Sequence, residues 1–262
     1  MSETDFPEYN EMTDTRYGRM LYNRNDIYIG KSLQLYGEFS PGESDLFRAI
    51  VSPGMTVVEA GANIGAHTIP LARFTGPSGA VVVFEPQRIV FQTLCANIAL
   101  NHLTNVVARN AAVGEKSATL IVPDLNPART NNFGGISLEG CKNGIEVPVV
   151  TIDSLQLKSC KLIKADVEGM EESVLRGAEQ TIRRCLPFLY LENDRQDKSE
   201  SLVQYIVSLG YRIFIHNPPL YSSDNYRNNP ENAFPHIVSS NLLCLHRSVP
   251  SRLSGFPELK VT

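Results

Sequence analysis

The segment Glu59-Ala-Gly-Ala-Asn-Ile-Gly65 places an acidic residue and two glycines between a predicted strand and a predicted helix. Gly61 allows a sharp turn and the close approach of a ligand, and Gly65 allows the helix to pack tightly on the sheet. A dinucleotide fingerprint, G-x-G-x-x-G, needs another glycine where Asn63 stands, so that the backbone reaches a pyrophosphate. The carboxylate of Glu59 would repel a pyrophosphate. The loop therefore favours a ligand with positive charge.

Glu85 ends the second predicted strand, about 20 residues after Gly65. A carboxylate at this position can accept hydrogen bonds from both hydroxyls of a ribose. Sites for NAD and for S-adenosylmethionine share this feature, so Glu85 predicts an adenosine and leaves the cofactor open. Glu59 suits the amino group or the sulfonium region of S-adenosylmethionine, and the pair predicts that cofactor. The alternative is that both carboxylates are solvated strand ends.

Further carboxylates follow the fourth and fifth predicted strands. Asp166 directly follows the run Leu-Ile-Lys-Ala, and Gly169 lets the chain turn away behind it. Because ligands of open α/β sheets bind beyond the carboxyl ends of the strands, Asp166 is the first candidate for a catalytic or methionine-binding carboxylate. It could instead cap the next helix. Glu168 is a second catalytic candidate, or an acceptor for nearby backbone amides.

Glu192, in the run Glu-Asn-Asp after the fifth strand, is a third catalytic candidate, although such residues are often solvated turns. Paired carboxylates could hold a divalent cation, but the spacing does not require one, and no metal is predicted. His216 ends the sixth strand and could act as a base near neutral pH, or could be structural. Residues 217–235 and 131–135, rich in Asn, Pro, Tyr and Gly, could form the pocket for a methyl acceptor.

The elements that would position these residues follow an α/β pattern. From residue 55 onward, short β-branched runs alternate with amphipathic segments, as in parallel strands covered by helices. The predicted strands are residues 56–60, 80–84, 106–109, 162–165, 188–191, 211–215 and 242–245, the last two as an antiparallel pair at the sheet edge. Helices are predicted after the glycine loop, over 87–100, around 174–182 and over 202–209.

Two segments depart from this alternation. Residues 1–50 are predicted to form a helical or irregular extension, with a helix near 43–51, in front of a Rossmann-like domain over 51–262. Residues 117–152 interrupt the domain as a β-rich insertion, with extra strands at 118–122 and 147–152 around a long loop. A loop of that length inside a compact domain is usually functional or mobile.

Composition narrows the function classes. The chain has 262 residues, 42% hydrophobic and 20% charged, and a formal net charge of -4. This charge balance does not favour electrostatic binding to nucleic acid or to an anionic membrane, and no apolar run is long enough to span a bilayer. Five scattered cysteines without a C-x-x-C pair indicate reduced thiols. The sequence predicts a cytoplasmic protein that binds neither nucleic acid nor membrane; homo-oligomerisation stays open.

The runs EAGANIGAHT, VFEPQ and VPVVTIDSL…LIKADVEGME together resemble the FkbM family of S-adenosylmethionine-dependent methyltransferases. The resemblance covers about residues 33–194, and DVEGME is its most specific part. It implies a class I methyltransferase fold with a mostly parallel seven-stranded sheet and helices on both faces. The residues that it assigns to the cofactor are Glu59, Gly61, Asn63, Gly65 and Glu85, with His67 and Thr68 at the methionine carboxylate and Glu38 in a further segment near the cofactor.

The predicted function is O-methylation of a hydroxyl on a small molecule or glycan, with N-methylation left open. An NAD-dependent oxidoreductase is an alternative that would share the fold and Glu85. This sequence, however, lacks the second glycine of the dinucleotide fingerprint and a Tyr-x-x-x-Lys set. A catalytically silent methyltransferase-like binding module is the other alternative, because a fold alone does not establish function.

Overall fold

The computed structural model describes residues 7–136, 140–250 and 255–260, in which strands and helices alternate along the chain. The strands are β1 (Asn10–Thr15), β2 (Gly18–Asn23), β3 (Thr56–Ala60), β4 (Ala80–Phe84), β5 (Val106–Arg109), β6 (Ala112–Val113), β7 (Ala118–Val122), β8 (Ile145–Val150), β9 (Leu162–Ala165), β10 (Phe188–Glu192), β11 (Tyr211–His216) and β12 (Asn241–His246). The helices are α1 (Ile29–Tyr36), α2 (Pro41–Ile50), α3 (Thr68–Thr75), α4 (Arg88–Leu100), α5 (Glu171–Arg176), α6 (Glu179–Cys185) and α7 (Gln196–Ser208).

Seven strands form the central sheet in the order β11-β12-β10-β9-β3-β4-β5. The pairs from β10 through β9, β3 and β4 to β5 are parallel, and β12 runs antiparallel to both β10 and β11. This order confirms the predicted mainly parallel sheet and the antiparallel pair at its edge. The carboxyl ends of β3, β4, β9 and β10 therefore lie next to one another.

Alternate residues of the central strands enter two apolar cores. On one face, Val58 and Ile163 pack with residues of α5, α6 and α7. On the other face, which we call the α2–α3 face, Val57 and Leu162 pack with residues of α2 and α3, including Phe47. Burying each such side chain stabilises the fold by about 1.5–3 kcal/mol, which accounts for strands that are apolar on both faces.

The N-terminal segment differs from the predicted helical or irregular extension. Its helix α2 lies where a helix is predicted, but residues 10–23 form the hairpin β1–β2. The buried side chain of Asn97 on α4 holds this hairpin: Leu21 donates its N–H to Oδ1 at 2.6 Å, and Nδ2 donates to the Leu21 carbonyl at 2.9 Å. Met20 and Tyr22 pack in one cluster with Ile69. The hairpin thus packs on residues of α3 and α4, in a cluster separate from the two sheet cores, whereas α2 packs in the sheet core through Phe47.

Two helices differ from the prediction, and a third contains a proline. The helix after β9 is two helices, α5 and α6, joined at Gly177, where a Cβ atom would lie 2.0 Å from the carbonyl oxygen of Gly114. Helix α7 begins at Gln196, six residues before the predicted start. The prediction missed its first turns because they are polar and carry no apolar stripe. Pro70 falls in the first turn of α3, where no intrahelical N–H donor is required.

The insertion strands β7 and β8 join β6, which precedes the insertion, in a separate three-stranded sheet of order β6-β8-β7. Strand β7 lies where it is predicted, and its antiparallel partner β8 is Ile145–Val150, two residues earlier than the predicted 147–152. Residues 137–139 of the predicted long loop lie outside the described residues. No helix in the described ranges is long and apolar enough to cross a membrane.

Candidate active site

A cavity of about 340 Å³ lies beyond the carboxyl ends of β3, β4, β9 and β10. The loops after these strands supply most of its polar wall, and the N-terminal segment contributes Tyr28, Phe39 and Glu43. We call the part formed by Glu59 and Glu85 the β3–β4 side, and the part formed by Asp166, Glu168 and Glu192 the β9–β10 side. Cavities of this size between strand ends are typical of small-molecule sites.

The glycines of the loop after β3 closely approach other parts of the chain, and the predicted approach of a ligand at Gly61 stays a prediction. Gly61 has φ +79°, and a Cβ atom there would lie 1.8 Å from the carbonyl oxygen of Asp166. Asn63 also has a positive φ, 50°, which asparagine tolerates better than most residues. Gly65 does not line the cavity; a Cβ atom there would lie 2.9 Å from the Leu94 side chain on α4. Gly61 thus lets two loops meet, and Gly65 lets a helix pack closely.

Glu85 is buried at the end of β4, and both of its carboxylate oxygens accept backbone hydrogen bonds. Asn63 donates its N–H to Oε2 at 2.9 Å, and Gln87 donates its N–H to Oε1 at 2.8 Å. Burial raises the pKa of Glu85 to about 7, although these two bonds act in the opposite direction. Each oxygen retains lone-pair capacity for a ligand hydroxyl. Glu85 is therefore a fixed acceptor in the cavity wall.

Glu59 is held from two directions. Thr68 donates its hydroxyl to Oε2 at 2.6 Å, and the ammonium nitrogen of Lys164 lies 3.7 Å from Oε1. Burial raises the pKa of Glu59 to about 7, and Lys164 opposes this rise. The sequence predicts that Thr68 binds the cofactor, but Thr68 does not line the cavity. Its hydroxyl instead fixes the carboxylate of Glu59, which does line the cavity.

Lys164 is a cavity residue that the sequence-based prediction missed. It lies in the middle of β9, is 2% exposed, and places its ammonium nitrogen 3.2 Å from Oδ2 of Asp166. Burial by itself would lower its pKa, but the carboxylates of Asp166, Glu59 and Glu43 outweigh burial and raise it. Lys164 is therefore protonated. The signal was visible in the sequence: a lysine interrupts an otherwise apolar strand.

His67 lines the cavity as a neutral imidazole. Burial first, and then Lys164, lower its pKa to about 3. Its ring packs against those of Phe39 and Phe47, with centroids 5.5 Å away in each case. Nε2 lies 4.0 Å from Oε2 of Glu43, and it has no hydrogen-bond partner within the described part of the chain. This nitrogen is available to a polar ligand.

The β9–β10 side gathers three carboxylates. Asp166, Glu168 and Glu192 each offer an oxygen within 4.8 Å of the others. Burial raises the pKa of Glu192 to about 11, helped by Asp166 and Glu168, and Oε2 of Glu192 lacks a partner among the described residues. Such a group is compatible with a shared proton or with a bound cation. The sequence-based prediction that no metal binds stays a prediction.

Glu168 has the most constrained position in this group. Its φ is +55°, an uncommon value for a non-glycine residue, and Arg195 donates a hydrogen bond to Oε2. Burial raises its pKa to about 7, and the bond from Arg195 opposes the rise. Strained backbone of this kind clusters at functional sites, which agrees with the placement of Glu168 in the cavity wall.

Besides Gly65 and Thr68, two further predicted site residues do not line the cavity. Glu38 is buried, and its carboxylate accepts a hydrogen bond from Arg16. His216 lies on β11, with Nδ1 2.9 Å from the hydroxyl of Tyr190, and burial lowers its pKa. Neither side chain lines the cavity. Their positions near element ends suggested a place in the site, but strand order and loop folding keep both side chains out of the cavity wall.

The predicted acceptor pocket is brought to the cavity in part. Asn132, Gly134 and Gly135 of the insertion loop line it, and so does Leu220 from the segment after β11. Residues 237–241, which the sequence-based prediction missed, form the remaining wall. An adjoining cavity of about 40 Å³ shares Gly61 and Glu85 with the first one. Its apolar lining includes Phe84, Ala111, Val113, Ile136 and Met170.

Comparison with known proteins finds similarity to methyltransferases. The family model described as Methyltransferase FkbM domain matches residues 59–213. Methyltransferase 1 of Beauveria bassiana (strain ARSEF 2860) is 28% identical over 145 residues, which are 47% of this chain and 58% of that protein. The chain thus spans less than two thirds of the length of this curated relative.

Two solved structures have the same fold. Methyltransferase FkbM from Methylobacillus flagellatus KT is 21% identical, with a TM-score of 0.50 over 78% of this chain and 50% of that one. Trm5b from Pyrococcus abyssi is 13% identical, with a TM-score of 0.50 over 92% of this chain and 56% of that one. At these identities the likeness concerns the fold alone. It confirms the Rossmann-like class I architecture that the sequence predicts.

Proposed function

The chain belongs to the FkbM methyltransferase family, and on this premise we propose that it transfers a methyl group from S-adenosylmethionine to a hydroxyl oxygen of a small molecule or glycan. The observation that carries the choice of cofactor is the pair Glu59 and Glu85. Both are buried carboxylates in one cavity, one beside the glycine loop and one at the end of the neighbouring strand.

The chemistry of the donor set fits this cofactor. Carboxylates outnumber cations in the cavity wall, which suits a ligand that carries a sulfonium and an ammonium group. The adjoining cavity, where Phe84 and Val113 lie beside Glu85, would add apolar contacts to the adenosine part. His67, Glu192 and Asn241 all line the cavity. Each has a buried polar atom that lacks a hydrogen-bond partner in the described chain. A polar ligand would satisfy them.

Each residue of the β3–β4 side has a role in this proposal. Glu85 would accept hydrogen bonds from the ribose hydroxyls, because its backbone bonds already fix its two oxygens. Glu59 would face the ammonium group of the methionine part. Neutral His67 would hydrogen-bond the methionine carboxylate. Bound S-adenosylmethionine supplies an electrophilic methyl group, and these contacts would place it at the border with the β9–β10 side.

The β9–β10 side supplies the base. A hydroxyl is a poor nucleophile until it loses its proton, so a carboxylate within reach of the acceptor accelerates the reaction. The side chain of Asp166 is 40% exposed and lines the cavity, with one oxygen bound to Lys164. Asp166 would take the hydroxyl proton as the new oxygen–carbon bond forms and the methyl carbon–sulfur bond breaks, which would leave S-adenosylhomocysteine as the second product. Glu192, which burial keeps protonated at neutral pH, would hydrogen-bond the acceptor without repelling Asp166.

The acceptor would approach past Tyr28, Leu220 and residues 237–241, which also line the cavity. This wall mixes apolar side chains with Ser239, Ser240 and Asn241, which matches a ligand that has both a carbon skeleton and hydroxyl groups. Excluding water behind such a ligand strengthens the electrostatic contacts of the site. The wall thus supports a polyhydroxylated acceptor.

Calorimetric titration tests the cofactor first. The purified protein is titrated with S-adenosylhomocysteine and, separately, with NAD, and both titrations are repeated on Glu85→Ala. We expect binding of S-adenosylhomocysteine only, weakened by about 100-fold in the variant, because a buried charge-assisted contact is lost. Binding of NAD alone would overturn the proposal in favour of an oxidoreductase. Binding of neither ligand would leave a non-catalytic module.

A further inference from the structure

Lys164 is a buried cation in a strand that is otherwise apolar. Its neighbours Leu162, Ile163 and Ala165 are fully buried, and Lys164 itself is 2% exposed. Burying an ammonium group is costly even when it is paired, and apolar residues of similar volume often stabilise a core better. The sheet does not need a lysine here. Its position in the cavity wall indicates a role toward the ligand.

Strand register places Lys164 beside Glu59. The two residues are direct partners in the parallel pair of β3 and β9, so their side chains lie on the same α2–α3 face. Thr68 fixes Oε2 of Glu59 from the helix above, while the ammonium nitrogen of Lys164 lies 3.7 Å from Oε1. The Glu59 carboxylate is therefore clamped between a hydroxyl and a cation.

Lys164 also reaches Asp166, two residues further along on the same side of the strand. The ammonium nitrogen lies 3.2 Å from Oδ2 of Asp166. Glu43 of helix α2 adds a third carboxylate that raises the pKa of Lys164. Two carboxylates thus contact the buried ammonium group, and the charge of a third acts on it. The surplus of negative charge would accommodate a second ammonium group, such as that of an amino acid.

We infer that Lys164 is a positioning residue which, by clamping Glu59, makes this end of the cavity selective for ligands that carry an amino-acid group. The inference rests on the proposed function, because that group is the methionine part of the cofactor. Lys164 acts through Glu59 and Asp166 and gives the cavity a fixed charge pattern before the ligand binds. Such preorganisation increases affinity because little ordering remains for the binding step.

The experiment compares two probes that differ in this group. S-adenosylhomocysteine carries the amino acid, and 5′-methylthioadenosine retains the adenosine and the sulfur without it. Calorimetry with wild-type protein is expected to show a preference for S-adenosylhomocysteine. In Lys164→Met, its affinity should fall by about tenfold or more, while that of 5′-methylthioadenosine should stay within about twofold. A merely structural role would lower both affinities together.

Two further variants complete the design. Lys161→Met is a matched control, since Lys161 precedes β9, lies over the ring of Phe188 at 4.7 Å and does not line the cavity. It should bind both probes as wild type does. If Lys164→Met does not fold, Lys164→Gln takes its place, because it removes the charge of Lys164, keeps a hydrogen-bond donor for Glu59 and Asp166, and leaves Glu59 intact. It should also lose the preference.

The outcomes separate the inference from the proposed function. A preference that survives in Lys164→Met or in Lys164→Gln overturns the inference and leaves the cofactor assignment intact. An equal loss of both probes assigns Lys164 to folding and overturns the inference as well. If wild-type protein binds neither probe, the proposed function fails, and the inference fails with it.

Discussion

The two sides of the cavity use the same residue type in different surroundings. On the β3–β4 side, each oxygen of Glu59 and Glu85 has a defined partner: a hydroxyl, an ammonium group or a backbone N–H. On the β9–β10 side, carboxylates crowd one another, and an oxygen of Glu192 lacks a partner among the described residues. Buried polar groups are usually satisfied. The contrast therefore suggests a side built to bind and a side built to exchange protons.

The largest expected effect is on turnover and falls on the β9–β10 side. In Asp166→Asn, kcat should drop by about 1,000-fold, because the amide cannot accept the hydroxyl proton. Affinity for S-adenosylhomocysteine should stay near that of wild type. The measurement uses methyl-labelled S-adenosylmethionine with an acceptor found by screening hydroxyl compounds. Unchanged turnover would remove Asp166 from the mechanism and would end the functional contrast between the two sides.

A second effect compares matched substitutions on the two sides. Glu85→Gln should weaken binding of S-adenosylhomocysteine by about tenfold, because the amide nitrogen cannot accept a backbone N–H. Glu192→Gln should change that affinity by no more than about twofold, because a protonated carboxyl already resembles an amide. Calorimetry under the same conditions measures both. Equal losses would show that Glu192 also belongs to the cofactor site.

The smallest effect is on stability as a function of pH. Burial raises the folded-state pKa of Glu59, Glu85 and Glu168 to about 7, and that of Glu192 to about 11, from 4.5. The folded state thus binds more protons than the unfolded state. The contribution of these four groups to the free energy of unfolding is therefore complete below pH 4.5 and is lost as the pH rises through their folded-state pKa values. Free energy of unfolding should be lower at pH 9 than at pH 6.

Glu192→Gln sharpens this prediction. The variant should lose less stability between pH 6 and pH 9 than wild type, by at least about 1 kcal/mol, because the amide does not titrate. Urea unfolding at both pH values provides the measurement, with Glu258→Gln, an exposed surface carboxylate paired with Arg212, as the control. Identical losses in wild type and Glu192→Gln would mean that Glu192 is ionised in the folded protein at neutral pH.

Much of the fold could be predicted from the sequence, because its signals are local. Strands β3, β4, β5 and β9 lie at the predicted residues, since each is a short apolar run closed by a glycine or a polar residue. The hairpin β1–β2 could not be predicted. Its residues alternate weakly, and the hairpin is held by Asn97, which lies far along the chain on α4.

The candidate site divides in the same way. Glu59, Gly61 and Glu85 belong to short motifs, and the structure places all three in the cavity wall. Lys164 was detectable as a charge within an apolar run. Glu43 gave no signal, because an acidic residue in the first turn of a helix is ordinary.

By itself, the sequence determined the order of the strands along the chain, the glycine loop after β3 and the acidic residues at the strand ends. These features depend on residues that are close together in the chain. Only the tertiary structure decided which of these residues meet. Register pairs Glu59 with Lys164 and Glu192 with Asn241, and chain folding brings Glu43 over the sheet while it leaves Glu38 and His216 outside the cavity. Such contacts follow from packing between distant segments, which no local pattern encodes.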